Sequence, residues 1–176
     1  MKPYTWKEAF EDSYEAALGG NPRAQNFVGY CYEIGRGVRR SAKTARQWYE
    51  KSARKGNIDA IFNLALMNSK GLGGKRDAKL AVSLYKKAAM RGDLQSQTNV
   101  AVMLLDGDGT KVDVQAGLRW LRRAAKRGDP TAQYNLGRAY ADGDCVRKSN
   151  RHAKTWLSKA AGNGHAKARQ RLRSMK

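Results

Sequence analysis

The chain is short of acids, cysteine, proline and long apolar runs, and each shortage excludes something. Only 3 prolines interrupt 176 residues, so helices can run unbroken. The longest wholly apolar run, Val100 to Leu105, is far too short for the roughly 20 residues that cross a bilayer. The start, Met1 to Glu8, carries no apolar stretch of the secretory kind, so a cytoplasmic protein without membrane contact is expected. Two cysteines, Cys31 and Cys145, and two histidines, His152 and His165, stand at spacings that match no zinc signature. No metal and no cofactor is expected. Acids number 15 against 35 lysines and arginines, a net charge of +20, which raises the question of an anionic partner. The remaining composition, 41% hydrophobic and 28% charged, is that of a globular chain with material for a core.

Glycine, by contrast, is plentiful and regularly placed. Gly35, Gly71, Gly107 and Gly143 stand 36 residues apart, and so do Gly56, Gly92, Gly128 and Gly164. Other columns keep the step: Val28, Leu64, Val100, Leu136 and Leu172; Trp48, Leu84, Trp120 and Trp156; Ala53, Ala89, Ala125 and Ala161. A fixed period of this length marks a repeat architecture, in which each unit presents the same surfaces to its neighbours.

Inside a unit the apolar spacing is helical. Ala132, Leu136, Ala139 and Tyr140 fall on one face of a 3.6-residue period. Asp142 to Cys145 break it, and Ala153, Trp156, Leu157, Ala160 and Ala161 resume it. Each unit therefore reads as a helical hairpin. First helices are expected at about 22–34, 58–70, 94–106 and 130–142, and second helices at about 42–54, 78–90, 114–126 and 150–162. The first glycine comb stops the first helices in the left-handed conformation, and the second comb stops the second helices. Asn57, Asp93 and Asp129 follow as N-caps. The predicted architecture is all-α, a right-handed α-solenoid of about four 36-residue hairpins with capping helices at both ends. Its segments are an N-terminal cap over 1–20, repeats over 21–56, 57–92, 93–128 and 129–164, and a C-terminal cap over 165–176.

The unit resembles the Sel1-like repeat, a relative of the tetratricopeptide repeat. The fourth carries Ala132, Leu136, Gly137, Tyr140, Gly143, Ala153, Trp156, Lys159, Ala160, Ala161 and Gly164 of that pattern; the first carries Ala24, Gly29, Tyr32, Gly35, Gly37, Ala45, Trp48, Tyr49, Lys51, Ala53 and Gly56. The Gly-x-Gly pair holds in three units, but Cys145 takes the second place in the fourth, and that turn is expected to differ slightly. Asp12 stands in the Trp column of residues 1–20, which suits a degenerate cap. The cysteines lie three units apart, out of disulfide reach, so both are expected as free thiols.

Catalysis finds no support. Gly107-Asp108-Gly109 and Gly71-Leu72-Gly73-Gly74 lie between helices and lack the strand, turn and Gly-Lys ending of a phosphate loop. Asp106, Asp108, Asp142 and Asp144 recur around loop glycines and read as turn chemistry. No enzyme is expected. The resemblance implies a scaffold that grips a partner with the inner, concave wall lined by first helices. Carried over by the Leu-Gly columns, that wall holds Asn26, Phe27, Tyr30, Phe62, Asn63, Leu66, Thr98, Asn99, Val102, Tyr134, Asn135 and Arg138. Asn63, Asn99 and Asn135 form a ladder whose amides either hold an extended peptide or brace neighbouring helices. Tyr30, Phe62 and Tyr134 are candidate anchors.

Charge adds a direction. Residues 1–20 hold two lysines and four acids, whereas residues 145–176 hold ten basic residues and no acid. Basic residues also gather at second-helix ends, such as Lys51, Arg54, Lys55, Arg122, Arg123, Lys126 and Arg127, where they complement the helix dipole. The excess points to an acidic protein or peptide bound at the concave face and the basic C-terminal pole by a protein that is monomeric when free. Some relatives in the resembled family are immunity proteins against a cognate toxin, and that role is one form the adaptor can take. The alternative is a nucleic-acid binder working through backbone electrostatics, with steep salt dependence.

Overall fold

The computed structural model describes residues 5–175. Those residues form ten helices and no strand: α1 (Trp6–Leu18), α2 (Pro22–Ile34), α3 (Ala42–Arg54), α4 (Ile58–Lys70), α5 (Ala78–Met90), α6 (Leu94–Asp106), α7 (Val114–Lys126), α8 (Pro130–Asp142), α9 (Asn150–Gly162) and α10 (Ala166–Ser174). The first and second helices expected from periodicity lie where they were expected. Among the described residues no helix is long and apolar enough to cross a membrane. The chain forms two compact units, Met1–Arg91 and Gly92–Lys176. Within each, every helix packs on the ones before and after it.

Helix ends follow from side-chain chemistry repeated every 36 residues. Asn21, Asn57, Asp93 and Asp129 cap the first helices, and each side chain accepts a backbone N–H of the opening turn. Ser41, Asp77, Asp113 and Ser149 do the same for the second helices. The same four residues close each hairpin, donating their N–H to Tyr32, Asn68, Leu104 and Tyr140 carbonyls at 2.8–2.9 Å. In the N-terminal cap, Thr5 and Glu8 form a reciprocal capping box. Thr5 donates both its backbone N–H, at 2.7 Å, and its hydroxyl, at 2.9 Å, to the Glu8 carboxylate, and these hold that carboxyl below its ordinary range, the backbone bond contributing most.

One turn departs from its expectation. Cys145 adopts φ 61°, the same left-handed conformation as Gly37, Gly73 and Gly109 at φ 73°, 68° and 72°. The turn is not reshaped; instead a side chain is forced into a conformation that costs most residues about 1–2 kcal/mol. At Gly37 and Gly73 a Cβ would also collide with the carbonyl oxygens of Trp6 and Ala42, so two constraints act there together.

The core of the first unit is built on Tyr49, Ile61, Leu64 and Met67 between α3, α4 and α5, with Trp48 on Ala17 and Val28 closing the N-terminal end. Tyr49 is fully buried and donates its hydroxyl to Glu33 at 2.7 Å. Burial and that carboxylate raise its pKa far above the ordinary tyrosine value. In the second unit Ala101, Leu121 and Leu136 form one cluster, with Trp120 and Trp156 packed against it. Leu157, Ala160 and Ala168 join α9 to the terminal helix α10. Close approach needs small residues: a Cβ at Gly29 would come within 2.8 Å of the Tyr49 ring, and one at Gly137 within 2.8 Å of Leu157.

Candidate functional site

In the first unit, α2 and α4 bring Asn26 and Asn63 together. Asn63 Nδ2 donates to Asn26 Oδ1 at 3.2 Å, so one rung of the asparagine ladder braces neighbouring helices and leaves the remaining amide capacity of both half-buried residues for other partners. Tyr30 is exposed, at 41%. Phe62 is half-buried against Tyr85 of α5, ring centroids 5.8 Å apart, and Leu66, four residues further along α4, is half-buried as well. Phe27 lies flat against Trp6 at 6.2 Å.

In the second unit, Val102 and Asn135 meet Arg138 around a small hollow of about 60 Å³ that Asp106 and Asp144 also line. Asn99 is half-buried and Arg138 exposed. Tyr134 stacks on His165 at 4.4 Å and packs against the cluster that seats α10, so this ring holds the C-terminal cap as well as facing outward. Thr98 does not line a wall. It is buried because its hydroxyl donates to Asp129 Oδ1 at 3.0 Å, the same oxygen that caps α8.

Much of the positive charge has structural work. Arg91 donates to the Gly56 carbonyl at 2.8 Å, Arg127 to Gly92 at 3.0 Å and Lys55 to Gly20. Asn163 closes the same column on Gly128 at 3.3 Å. Each ties the end of a second helix to the closing glycine one repeat earlier. Lys51, Arg123 and Lys159 lie over the rings of Trp48, Trp120 and Trp156 at 4.2, 5.6 and 4.8 Å, contacts worth about 0.5–1 kcal/mol each at exposed sites. Arg40 and Arg76 donate to the Glu33 and Ser69 carbonyls near the ends of α2 and α4, both at 2.9 Å. Spacing alone revealed the helix-dipole role and not the bonds of Lys55, Arg91 and Arg127 to glycine carbonyls, since those partners lie 35 residues away.

The basic pole contains the feature that sequence reasoning did not find. Arg122 of α7 and Arg147 and Lys148 of the loop before α9 line one open groove of about 600 Å³, with Leu118, Tyr140 and His152 among its other walls; the Asp144 carboxylate adjoins it, bonded by the Cys145 thiol at 3.3 Å. Tyr140 stacks on His152 at 5.0 Å, and His152 Nδ1 shares a hydrogen bond with Ser149 Oγ at 2.9 Å. Cys145 also lines the groove. Burial and the Asp144 carboxylate push its thiol pKa up, so it is protonated and a poor nucleophile at neutral pH. Cys31 is buried and Cys145 exposed, both free. Among the described residues no group of three or more His, Cys, Asp or Glu is placed to hold a metal ion.

Comparison with known proteins gives these observations a context. A protective antigen of uropathogenic Escherichia coli, c5321, displays an SLR fold and superposes with TM-score 0.88 at 35% identity over 94% of this chain and 36% of that one. A Sel1 repeat protein from Oxalobacter formigenes gives 0.84 at 34% identity, over 93% of this chain and 65% of its own. Immunity protein Pa5087 from Pseudomonas aeruginosa gives 0.61 at 20% identity, over 93% and 60%, a likeness of fold alone. The chitin synthase regulator SKT5 of Saccharomyces cerevisiae is 48% identical over 52 residues, which is 30% of this chain and 7% of that protein. The chain thus spans about a third of the E. coli antigen and a small fraction of the yeast regulator. The fold class is the all-α solenoid of helical hairpins. The Sel1 repeat pattern matches residues 22–57, 58–93, 94–129 and 130–165, and the chain belongs to the Sel1 repeat family.

Proposed function

We propose that this chain is a non-enzymatic scaffold for protein–protein interaction, and that its partner is an acidic protein or peptide held at the C-terminal basic pole. The observation that carries the reading is the groove whose lining brings together Arg122, Arg147 and Lys148, while the neighbouring Asp144 carboxylate is taken up by the Cys145 thiol at 3.3 Å. Cations on walls of apolar and aromatic surface favour a carboxylate-bearing segment, because Arg can hold a carboxylate in two parallel hydrogen bonds while the walls displace water from it. The first-helix residues contribute alongside: Asn99, Asn135 and Arg138 in the second unit, and Asn26, Asn63, Tyr30, Phe62 and Leu66 in the first. Tyr134 supports this face through its stacking on His165. Sel1 repeat proteins are generally interaction scaffolds, which agrees with a site made of cations and amides instead of paired acids and bases.

The test is capture from lysate on the purified chain at moderate salt, with and without nuclease. One acidic protein recovered in stoichiometric amount with nuclease present is the expected result, and Arg122→Glu combined with Arg147→Glu abolishes that recovery while thermal melting stays unchanged. Loss of all partners after nuclease overturns the proposal in favour of nucleic acid. Undiminished capture by the charge-reversed variant places the site elsewhere. A toxin in the eluate would identify an immunity role.

A further inference from the structure

The tryptophan column has one exception, and the surface beside it is hollow. Trp48 packs on Ala17 and Val28, edge-on to Tyr14 at 5.6 Å, with Lys51 above its ring at 4.2 Å. Trp156 packs on the cluster containing Ala125 and Leu136, with Lys159 above it at 4.8 Å. The same register in the second repeat offers Ala53 and Leu64 as floor and Lys87 as cation, but residue 84 is leucine. Leu84 packs on the core cluster that contains Ala53 and Leu64. Beside it lies an open hollow of about 340 Å³ lined by Ala53, Leu64, Asn68, Leu80 and Leu84 and bordered by Arg54 and Lys87. Leu80 is 40% exposed beside it.

We infer that this hollow is a socket for an aromatic side chain, a tryptophan of a partner protein flanked by acidic residues. Shape selects the ring, because two other units of this chain show an indole on such a floor under a cation. Charge selects the flanks. Arg54 and Lys87 border the hollow, and its one carboxylate, Glu50, is engaged by Arg46 at 3.3 Å, leaving cations to meet an acidic segment. A ring entering here gains apolar burial and a cation over its face together, the combination that makes tryptophan a frequent interface anchor. The socket lies on α3, α4 and α5 of the first unit and is independent of the basic groove, so either reading can fail while the other holds.

The test uses the whole chain with its leucine methyls labelled, titrated with the peptide acetyl-Asp-Trp-Asp-amide and with its alanine counterpart. The expected result is shifts of the Leu64, Leu80 and Leu84 methyl resonances with the tryptophan peptide and none with the alanine one. Leu84→Trp fills the hollow, raises the melting temperature and removes the shifts. Lys87→Glu, at an exposed position in the last turn of α5, lowers the melting temperature slightly through the helix dipole and weakens binding about tenfold by losing the cation and repelling the acidic flanks. Methyls unmoved at millimolar peptide, shifts spread over other leucines, or unaltered affinity in Lys87→Glu would each overturn the inference.

Discussion

Arg127 Nη1 lies 3.0 Å from the carbonyl oxygen of Gly92, 35 residues earlier. The arginine occupies the C-cap of α7, and the oxygen belongs to a glycine at φ 97°. One residue thus closes its own helix with its backbone N–H and holds Gly92 with its side chain. Arg127→Ala should lower stability by about 1 kcal/mol, the net worth of such a hydrogen bond. Arg127→Lys should retain most of it, since Lys55 makes the same contact to Gly20. Urea denaturation of the two variants checks this, with the exposed Arg122→Ala as the control that should leave the midpoint in place.

Cys145 holds a glycine's conformation at φ 61°. Cys145→Gly should raise stability by about 1 kcal/mol by removing that strain, and the midpoint of thermal unfolding should move upward. In the folded protein a thiol reagent at neutral pH should modify Cys145 slowly and Cys31 only after denaturant is added, because Cys31 is buried and burial raises both thiol pKa values.

His165 caps α10 with Nδ1, which accepts the Ala168 N–H at 3.3 Å. Burial and then Lys167 lower its pKa from the ordinary 6.5, against the opposing pull of Asp129. The unfolded chain therefore takes up a proton first as pH falls. Stability is complete above 6.5, declines as the pH drops through the unfolded value towards the lower folded one, and levels off below that. His165→Asn, which keeps a capping acceptor and cannot titrate, should flatten the profile of melting temperature between neutral and mildly acidic pH.

Asn63 is tied to Asn26 at 3.2 Å. Asn63→Ala should cost about 1 kcal/mol through loss of that brace, seen as an earlier urea midpoint. Capture of the partner by this variant measures whether the amide that remains available also touches a ligand. Asn135→Ala, whose residue borders a hollow in the second unit, serves for comparison.

The repeat, the helix spans and the first-helix ends were legible in the sequence, because each depends on residues a few positions apart: Asn57 three residues before the N–H it caps, Gly71 closing the helix it follows. Contacts that cross a repeat were not legible. The sequence showed Lys55 and Arg127 as cations at helix ends, and only the packed chain decides that their side chains meet Gly20 and Gly92. It showed Thr98 beside Asn99, and only the placement of α8 decides that Thr98 turns inward to Asp129. Leu84 in a column of tryptophans was visible from the start, whereas the hollow beside it is lined by residues of α3, α4 and α5 that only the packed helices bring together. Local dihedral and capping preferences act within one turn of chain, and so the sequence settles them alone. The basic groove depends on which side chains are brought from distant positions to one surface, which is a property of the packed helices.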